Sequence, residues 1–60
     1  MELWEVCGKN VKITLLNGQV FTGKAYDFVP EQDNDSGFAS ISVGDFELYQ
    51  NEIAEIIIID

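Results

Sequence analysis

Residues 8–23 of this chain read Gly-Lys-Asn-Val-Lys-Ile-Thr-Leu-Leu-Asn-Gly-Gln-Val-Phe-Thr-Gly, and they contain the clearest structural pattern in the sequence. Val11, Ile13 and Leu15 alternate with polar residues, which is the two-residue period of a strand with one buried face. Asn17-Gly18 follows and separates this strand from a second one. This dipeptide predicts a β-hairpin with a type I′ turn, because such a turn needs positive φ at both central positions.

The second strand, residues 19–29, contains a change of phase. Phe21, Gly23 and Ala25 share one face, and the next large apolar side chain, Phe28, lies at an odd offset. Such a shift inside a strand predicts a bulge, here near Tyr26-Asp27. A glycine in the middle of a strand marks the same kind of bend. We therefore expect a strongly bent sheet.

The remaining residues predict a short helix, three more strands and one polar loop. The helix spans residues 1–8, with an apolar stripe of Leu3, Trp4 and Val6 or Cys7, and we expect Trp4 to cap the open end of the sheet. The alternative role for Trp4 is stacking on a ligand. Segments 38–43, 46–49 and 52–60 supply strands, and 30–37 is the loop. The expected fold is one all-β domain over residues 1–60, with the helix in 1–8 and a five-stranded antiparallel sheet in 9–60.

The last strand ends in four consecutive isoleucines, residues 56–59. A run of β-branched residues predicts a strand covered on both faces. Exposed at a sheet edge, the same run would promote aggregation. The cover is either the chain's own helix or the edge strand of a second copy, and we favour the second copy.

Composition narrows the ways in which 60 residues can be stabilised. So short a chain usually needs a disulfide, a metal or oligomerisation. Cys7 is the single cysteine and there is no histidine, so an internal disulfide and a Cys/His zinc site are ruled out. The same count leaves no usual nucleophile and base pair. We expect neither an enzyme nor a cofactor, and oligomerisation is the support that remains.

The formal net charge is −8, and it is unevenly distributed. All basic residues, Lys9, Lys12 and Lys24, lie in the first 24 positions, while residues 25–60 contain nine acids and no basic residue. This argues against tight nonspecific binding to phosphates. The three lysines either form a local patch for phosphate contact or are scattered and serve solubility.

The N-terminal residues and the apolar runs suggest a cytoplasmic protein without a membrane segment. Residues 1–6 carry acids where a signal peptide needs positive charge. The longest isoleucine run is far too short to cross a bilayer. An unpaired cysteine fits a reducing compartment.

Two segments resemble the motifs of the Sm-like (LSm) family. Residues 8–23 are similar to the first motif, with its Gly-Lys, alternating apolar residues, Asn-Gly turn and glycine in a bent strand, and Phe28 matches the aromatic that follows. Residues 48–57, Leu-Tyr-Gln-Asn-Glu-Ile-Ala-Glu-Ile-Ile, resemble the second motif. The tyrosine before the last turn makes this form closer to the bacterial Hfq-like branch.

The resemblance implies an SH3-like open barrel and a homo-oligomeric ring of five to seven subunits. In such a ring the fourth strand of one subunit pairs with the fifth strand of the next, and single-stranded RNA binds at the pore. The residues that the resemblance and the loops offer for RNA are Tyr49, Gln50, Asn51, Phe28 and Asn34, with Lys9, Lys12 and Lys24 for phosphates. The alternative is that Tyr49 packs on a neighbour and the two amides form an ordinary turn.

The sequence departs from the family motifs where RNA would be read. Val29-Pro30-Glu31 replaces the expected Asp-x-x-x-Asn element, and Gln50-Asn51 replaces the basic last turn. Residues 33–37 offer oxygens to a cation, but they lack the closing glutamate of a calcium loop and are interpreted as a solvated turn.

The resemblance and the departures from it leave two hypotheses for the function. The first is an RNA-binding ring with a divergent, acid-rich site, and the second is a protein-interaction or scaffolding ring that has lost RNA binding.

Overall fold

The computed structural model describes residues 2–59 and has one antiparallel sheet of five strands in the order β4-β3-β2-β1-β5. The strands are β1 (Asn10–Leu15), β2 (Val20–Val29), β3 (Ser40–Val43), β4 (Phe46–Tyr49) and β5 (Ile53–Ile58). Short 3-10 helices span Leu3–Val6, Glu31–Asp33 and Gln50–Glu52. The predicted all-β class and the predicted five strands are confirmed, with β5 shorter than expected. Met1 and Asp60, the ends of the predicted helix and last strand, lie outside the described residues.

The hairpin between β1 and β2 is present, but its turn is not the predicted type I′. The Gly18 N–H donates to Leu15 O at 3.0 Å, and the Leu15 N–H donates to Gln19 O at 2.8 Å. Gly18 has φ of 92°, whereas Asn17 does not have positive φ. This is the three-residue hairpin pattern, in which a glycine in the left-handed region follows the turn. The prediction of a two-residue turn was therefore wrong.

The predicted bend in β2 is confirmed at the predicted place. Asp27 has φ of 58°, the only positive value among the described non-glycine residues, and the pairing with β3 shifts between Tyr26 and Val29. Gly23 has φ of 154°, a backbone conformation that side-chain-bearing residues rarely adopt. These two distortions turn the strand so that Ala25 is buried and Phe28 packs against the core.

The bend divides the sheet into two halves. The first half contains β5, β1 and residues 20–24 of β2, in which Ile13 lies opposite both Phe21 and Ile56. The second half contains residues 25–29 of β2 with β3 and β4, in which Ile41 lies opposite Leu48. Each half has a core face and an outer face, because opposite residues of paired strands point the same way.

One hydrophobic core lies between the two halves. Its buried members are Leu3, Val6, Val11, Ile13, Leu15, Ala25, Ala39, Ile41, Val43 and Leu48. Every predicted inward residue of β1 is among them. The alternation in β1 therefore identified its core face correctly.

The N-terminal helix is a single 3-10 turn, shorter than the predicted helix over residues 1–8. Leu3 and Val6 are buried and contribute to the core, as the predicted stripe required. Trp4 is 61% exposed and Cys7 is exposed, so the prediction that Trp4 caps the sheet was wrong. Leu3 and Val6 are three residues apart, which is one turn of a 3-10 helix, so they share its buried face and Trp4 lies off that face.

The two edge strands both display apolar side chains. In β5 and just after it, Ile57, Ile58 and Ile59 are 41%, 38% and 50% exposed. At the other edge, Phe46 of β4 is 57% exposed, although its ring packs on Phe21 with 5.0 Å between centroids. The chain's own helix therefore does not cover the isoleucine run. Cover by a second copy remains a prediction.

Candidate functional site

A pocket of about 290 Å³ lies where the β2–β3 connection meets the turn after β4. It is lined by Glu2, Phe28, Pro30, Glu31, Gln32, Ala39 and Gln50. Two of the predicted RNA residues, Phe28 and Gln50, meet here, although they lie far apart in the sequence. We call this concavity the Phe28 pocket.

The backbone explains why these segments converge. The Asp27 bulge changes the phase of β2, so Phe28 is half-buried beside the core, and Pro30 follows two residues later at the start of the β2–β3 connection. On the opposite wall, the Gln50 N–H donates to Ala39 O at 2.8 Å and extends the pairing of β3 with β4. This bond fixes Gln50 beside the β2–β3 connection.

The charges at the Phe28 pocket are acidic. Glu2 and Glu31 line it and are both exposed, while Gln32 and Gln50 supply neutral amides. None of the described lining residues is basic. Such a lining suits a hydrogen-bond donor or a cation and disfavours a phosphate.

A second group of polar side chains covers the outer face of the second half. The Ser40 hydroxyl donates to Glu47 Oε2 at 2.8 Å, and the Tyr49 hydroxyl donates to Glu47 Oε1 at 3.0 Å. Asn34 Nδ2 donates to Ser40 Oγ at 3.1 Å and to Phe38 O at 2.8 Å. We call Asn34, Ser40, Glu47 and Tyr49 the Glu47 network. Ser40 has no exposed surface, so its two bonds satisfy a buried hydroxyl.

The network raises the pKa of Tyr49 above its ordinary value of 10.0. The main cause is the hydrogen bond to Glu47, which only the protonated phenol can donate, followed by the negative charge of Glu47 itself. More distant carboxylates on Glu52 and Asp35 act in the same direction. The environment of Tyr49 is therefore negative, which disfavours an approaching phosphate.

Asn51 lies apart from both groups. It lines a smaller pocket of about 170 Å³ together with Glu52 and with Leu15, Leu16 and Asn17 of the β1–β2 hairpin. A backbone bond from Leu16 N to Glu52 O at 2.8 Å joins the two turns there. Tyr49, Gln50 and Asn51 are adjacent in sequence, yet the 3-10 turn directs them to three different surroundings.

The lysines lie on the first half of the sheet. Lys12 pairs with Thr22 and Ile57, and Lys24 pairs with Asn10, so both are on the outer face at neighbouring diagonal positions. Lys9 precedes β1, where its carbonyl accepts from the Ala25 N–H at 2.9 Å. None of the three lines the Phe28 pocket.

Several residues of these sites were not predicted from the sequence. Glu47 and Ser40 hold the network together, and their contact depends on the register that places Ser40 opposite Tyr49 and Ser42 opposite Glu47. Glu31 and Glu2 reach the Phe28 pocket only through the bend and the helix position. A period-two pattern identifies which face a residue occupies, but it does not reveal these cross-strand partners.

Residues 2–59 contain no group of three or more His, Cys, Asp or Glu side chains placed to hold a metal ion. No helix in that range is long and apolar enough to cross a bilayer. In the loop over residues 33–37, the Asn34 side-chain amide donates to Phe38 O, and the Ser36 hydroxyl oxygen accepts from the Phe38 N–H.

In the comparisons with known proteins, no family model, curated protein or solved structure matches the chain.

Proposed function

We propose that this chain is the subunit of an Sm-like homo-oligomeric ring that serves as a protein-interaction scaffold. In the proposed ring, β4 of one copy pairs with β5 of the next. Five to seven subunits close the ring. The exposed Cys7 thiol suits a reducing cytoplasm, where we place the assembly.

One observation carries this proposal: the described strands leave two unpaired sheet edges, and each edge carries at least one exposed apolar side chain. β4 and β5 stand at opposite ends of the strand order, so each has one free side. Phe46 on one edge and Ile57 and Ile58 on the other are substantially exposed. Joining unlike edges is a heterologous contact, which closes into a ring when the rotation between neighbours allows it. The resemblance of residues 8–23 and 48–57 to the Sm-like motifs supports the same arrangement.

The test uses the direction of the backbone N–H groups in β5. The Ile59 N–H donates to Asn10 O on β1. Donors alternate along an antiparallel strand, so the Ile58 N–H points to the free edge. Ile58→Pro removes this donor without removing a bond to β1. We expect the wild-type chain to have five to seven times the subunit mass by native mass spectrometry, and Ile58→Pro to be a monomer.

Ile58→Ala is the matched control. It shortens the same side chain but keeps the N–H, so we expect it to assemble, more weakly than the wild type. A wild-type protein that is monomeric at high micromolar concentration would contradict the ring. Equal loss of assembly in both variants would assign the interface to side-chain packing and not to strand pairing.

The polar groups favour a scaffold over an RNA-binding ring. The amide of Asn34 and the hydroxyl of Tyr49 already donate within the Glu47 network. The Phe28 pocket is lined by two carboxylates, and the lysines lie elsewhere. RNA affinity depends largely on basic side chains that neutralise phosphates, and neither the Phe28 pocket nor the Glu47 network contains one.

RNA binding is the second candidate function, favoured by the meeting of Phe28 and Gln50 in one pocket. An aromatic ring can stack on a base while an amide reads its edge. The test is fluorescence anisotropy with oligo(U) and oligo(A) at low salt. We expect no binding up to about 100 μM, the weak end of nonspecific affinity. Micromolar binding that Gln50→Ala abolishes would establish RNA as the ligand.

A further inference from the structure

We propose that the Phe28 pocket binds a single arginine or lysine side chain of a protein partner. This inference rests on the proposed scaffold function and names the class of partner that the scaffold would hold. The partner is recognised by its basic side chain, not by a nucleotide.

The size of the pocket fits one side chain. Its volume is about 290 Å³. Pockets for drug-sized ligands begin at roughly 300 Å³ and extend to several times that volume. The Phe28 pocket is therefore just below that range, so its volume suits one long side chain better than a larger ligand.

The lining has the two chemical features that a basic side chain requires. Phe28 and Pro30 give an apolar wall against which a guanidinium plane or an aliphatic stem packs. Glu2 and Glu31 supply carboxylates, with which a guanidinium forms paired hydrogen bonds. The side-chain amide oxygen of Gln50 is a further acceptor.

The surrounding charge favours the same occupant. Residues 25–60 contain nine acids and no basic residue, so no cation of that segment competes for the pocket. On the neighbouring end of β4, the Tyr49 hydroxyl donates to the Glu47 carboxylate, and this bond together with the charges of Glu47, Glu52 and Asp35 raises the pKa of Tyr49. A cation approaching this end is attracted, whereas a phosphate is repelled.

The experiment is a titration of the full chain with acetyl-Gly-Arg-Gly-amide, followed by backbone amide NMR. We expect saturable shifts centred on Phe28, Glu31 and Gln50. The matched probe is the same peptide with citrulline in place of arginine, which keeps the shape and loses the charge. It should bind at least several-fold more weakly.

Two variants locate the contact. Glu31→Gln removes one carboxylate of the pocket and should weaken arginine-peptide binding roughly two- to five-fold, the effect of one exposed ion pair. Asp45→Asn makes the same charge change at the β3–β4 turn, at the other end of β3 from Ala39. Binding should be nearly unchanged there, and equal weakening in both variants would overturn the proposal in favour of general charge attraction.

The remaining outcomes separate this proposal from the ring. Absence of arginine-peptide shifts at the pocket overturns the pocket assignment, even when native mass shows an intact ring. A monomer that still binds the peptide overturns the ring and leaves the pocket in place. Oligo(U) shifts at the same three amides, without arginine-peptide shifts, would assign the pocket to RNA and overturn the proposal.

Discussion

The two halves of the sheet use their outer faces in different ways. On the outer face of the first half, Lys12 lies opposite the exposed Ile57 and diagonal to the exposed Val20, and Lys24 lies diagonal to Lys12. On the second half, the polar side chains of the Glu47 network bond to one another. There the Tyr26 hydroxyl also donates to the Gly44 carbonyl oxygen.

The comparison shows that one fold can combine an open face and a closed face. The first half exposes Val20 and Ile57 on its outer face, where another chain can cover them, whereas on the outer face of the second half the polar groups of the Glu47 network bond to one another. The two halves share the core, so we expect substitutions in the core to change the free energy of unfolding more than substitutions on either outer face.

The first prediction tests whether the two halves form one cooperative unit. Ile13 in the first half and Ile41 in the second are both fully buried. Replacing either by alanine leaves a cavity in the same core, so each variant should lose about 2–5 kcal/mol of unfolding free energy. Denaturant unfolding should show one transition in both variants.

The control for this prediction is Val20→Ala, which shortens an exposed side chain on the outer face and should change stability by less than about 0.5 kcal/mol. If the Ile41→Ala variant unfolds in two steps while Ile13→Ala unfolds in one, the halves are separate cooperative units and the single core is wrong.

The second prediction concerns the closed face. Ser40→Ala removes the donor to Glu47 and the acceptor for Asn34, so we expect a loss of about 1.5 kcal/mol, the low end for a bond to a charged group because Glu47 is exposed. Ser42→Ala, two residues along β3 and outside the network, is the control and should cost less. Equal losses in denaturant unfolding would show that the network adds no stability.

The contacts of the Glu47 network could not be predicted from the sequence, although the strands and the bend could. The strands follow from period-two alternation, and the bend follows from the odd offset of Phe28, since both depend on neighbours in the chain. The turn type at Asn17-Gly18 was wrong because two hairpin geometries accept the same dipeptide, and the rest of the loop decides between them.

The site residues needed information that the alternation lacks. Phe28 and Gln50 were selected by resemblance, and the structure brings them to one pocket, whereas Asn51 and Tyr49 diverge because of a single 3-10 turn. Glu47 and Glu31 escaped notice because an exposed acid is ordinary in so acidic a chain. The register gives Glu47 its hydrogen-bond partners, and the bend places Glu31 at the Phe28 pocket.

The third prediction concerns the joint between the halves. Asp27 has φ of 58°, a region that aspartate tolerates and β-branched residues avoid. Asp27→Val should therefore lose about 1 kcal/mol or slightly more. Asp27→Gly adopts this φ freely but gains entropy when unfolded, so it should remain near the wild type. If thermal or denaturant unfolding ranks glycine below valine, the left-handed bulge is incorrect.

The last prediction has the smallest effect and tests whether the closed face remains closed at high pH. The raised pKa of Tyr49 means that folding favours the protonated phenol. Its contribution to stability is therefore complete below the unfolded value of about 10 and is lost as pH rises through the higher folded pKa. The difference in unfolding free energy between wild type and Tyr49→Phe should shrink over that interval.

Tyrosinate absorbance gives a direct measurement in a Tyr26→Phe background, where Tyr49 is the remaining tyrosine. The absorbance should rise with a midpoint above pH 10.0, and Glu47→Gln should lower that midpoint. A midpoint at or below 10.0 before the glutamine change would mean that Glu47 does not hold the Tyr49 hydroxyl, and the outer face of the second half would then leave its polar groups free for partners.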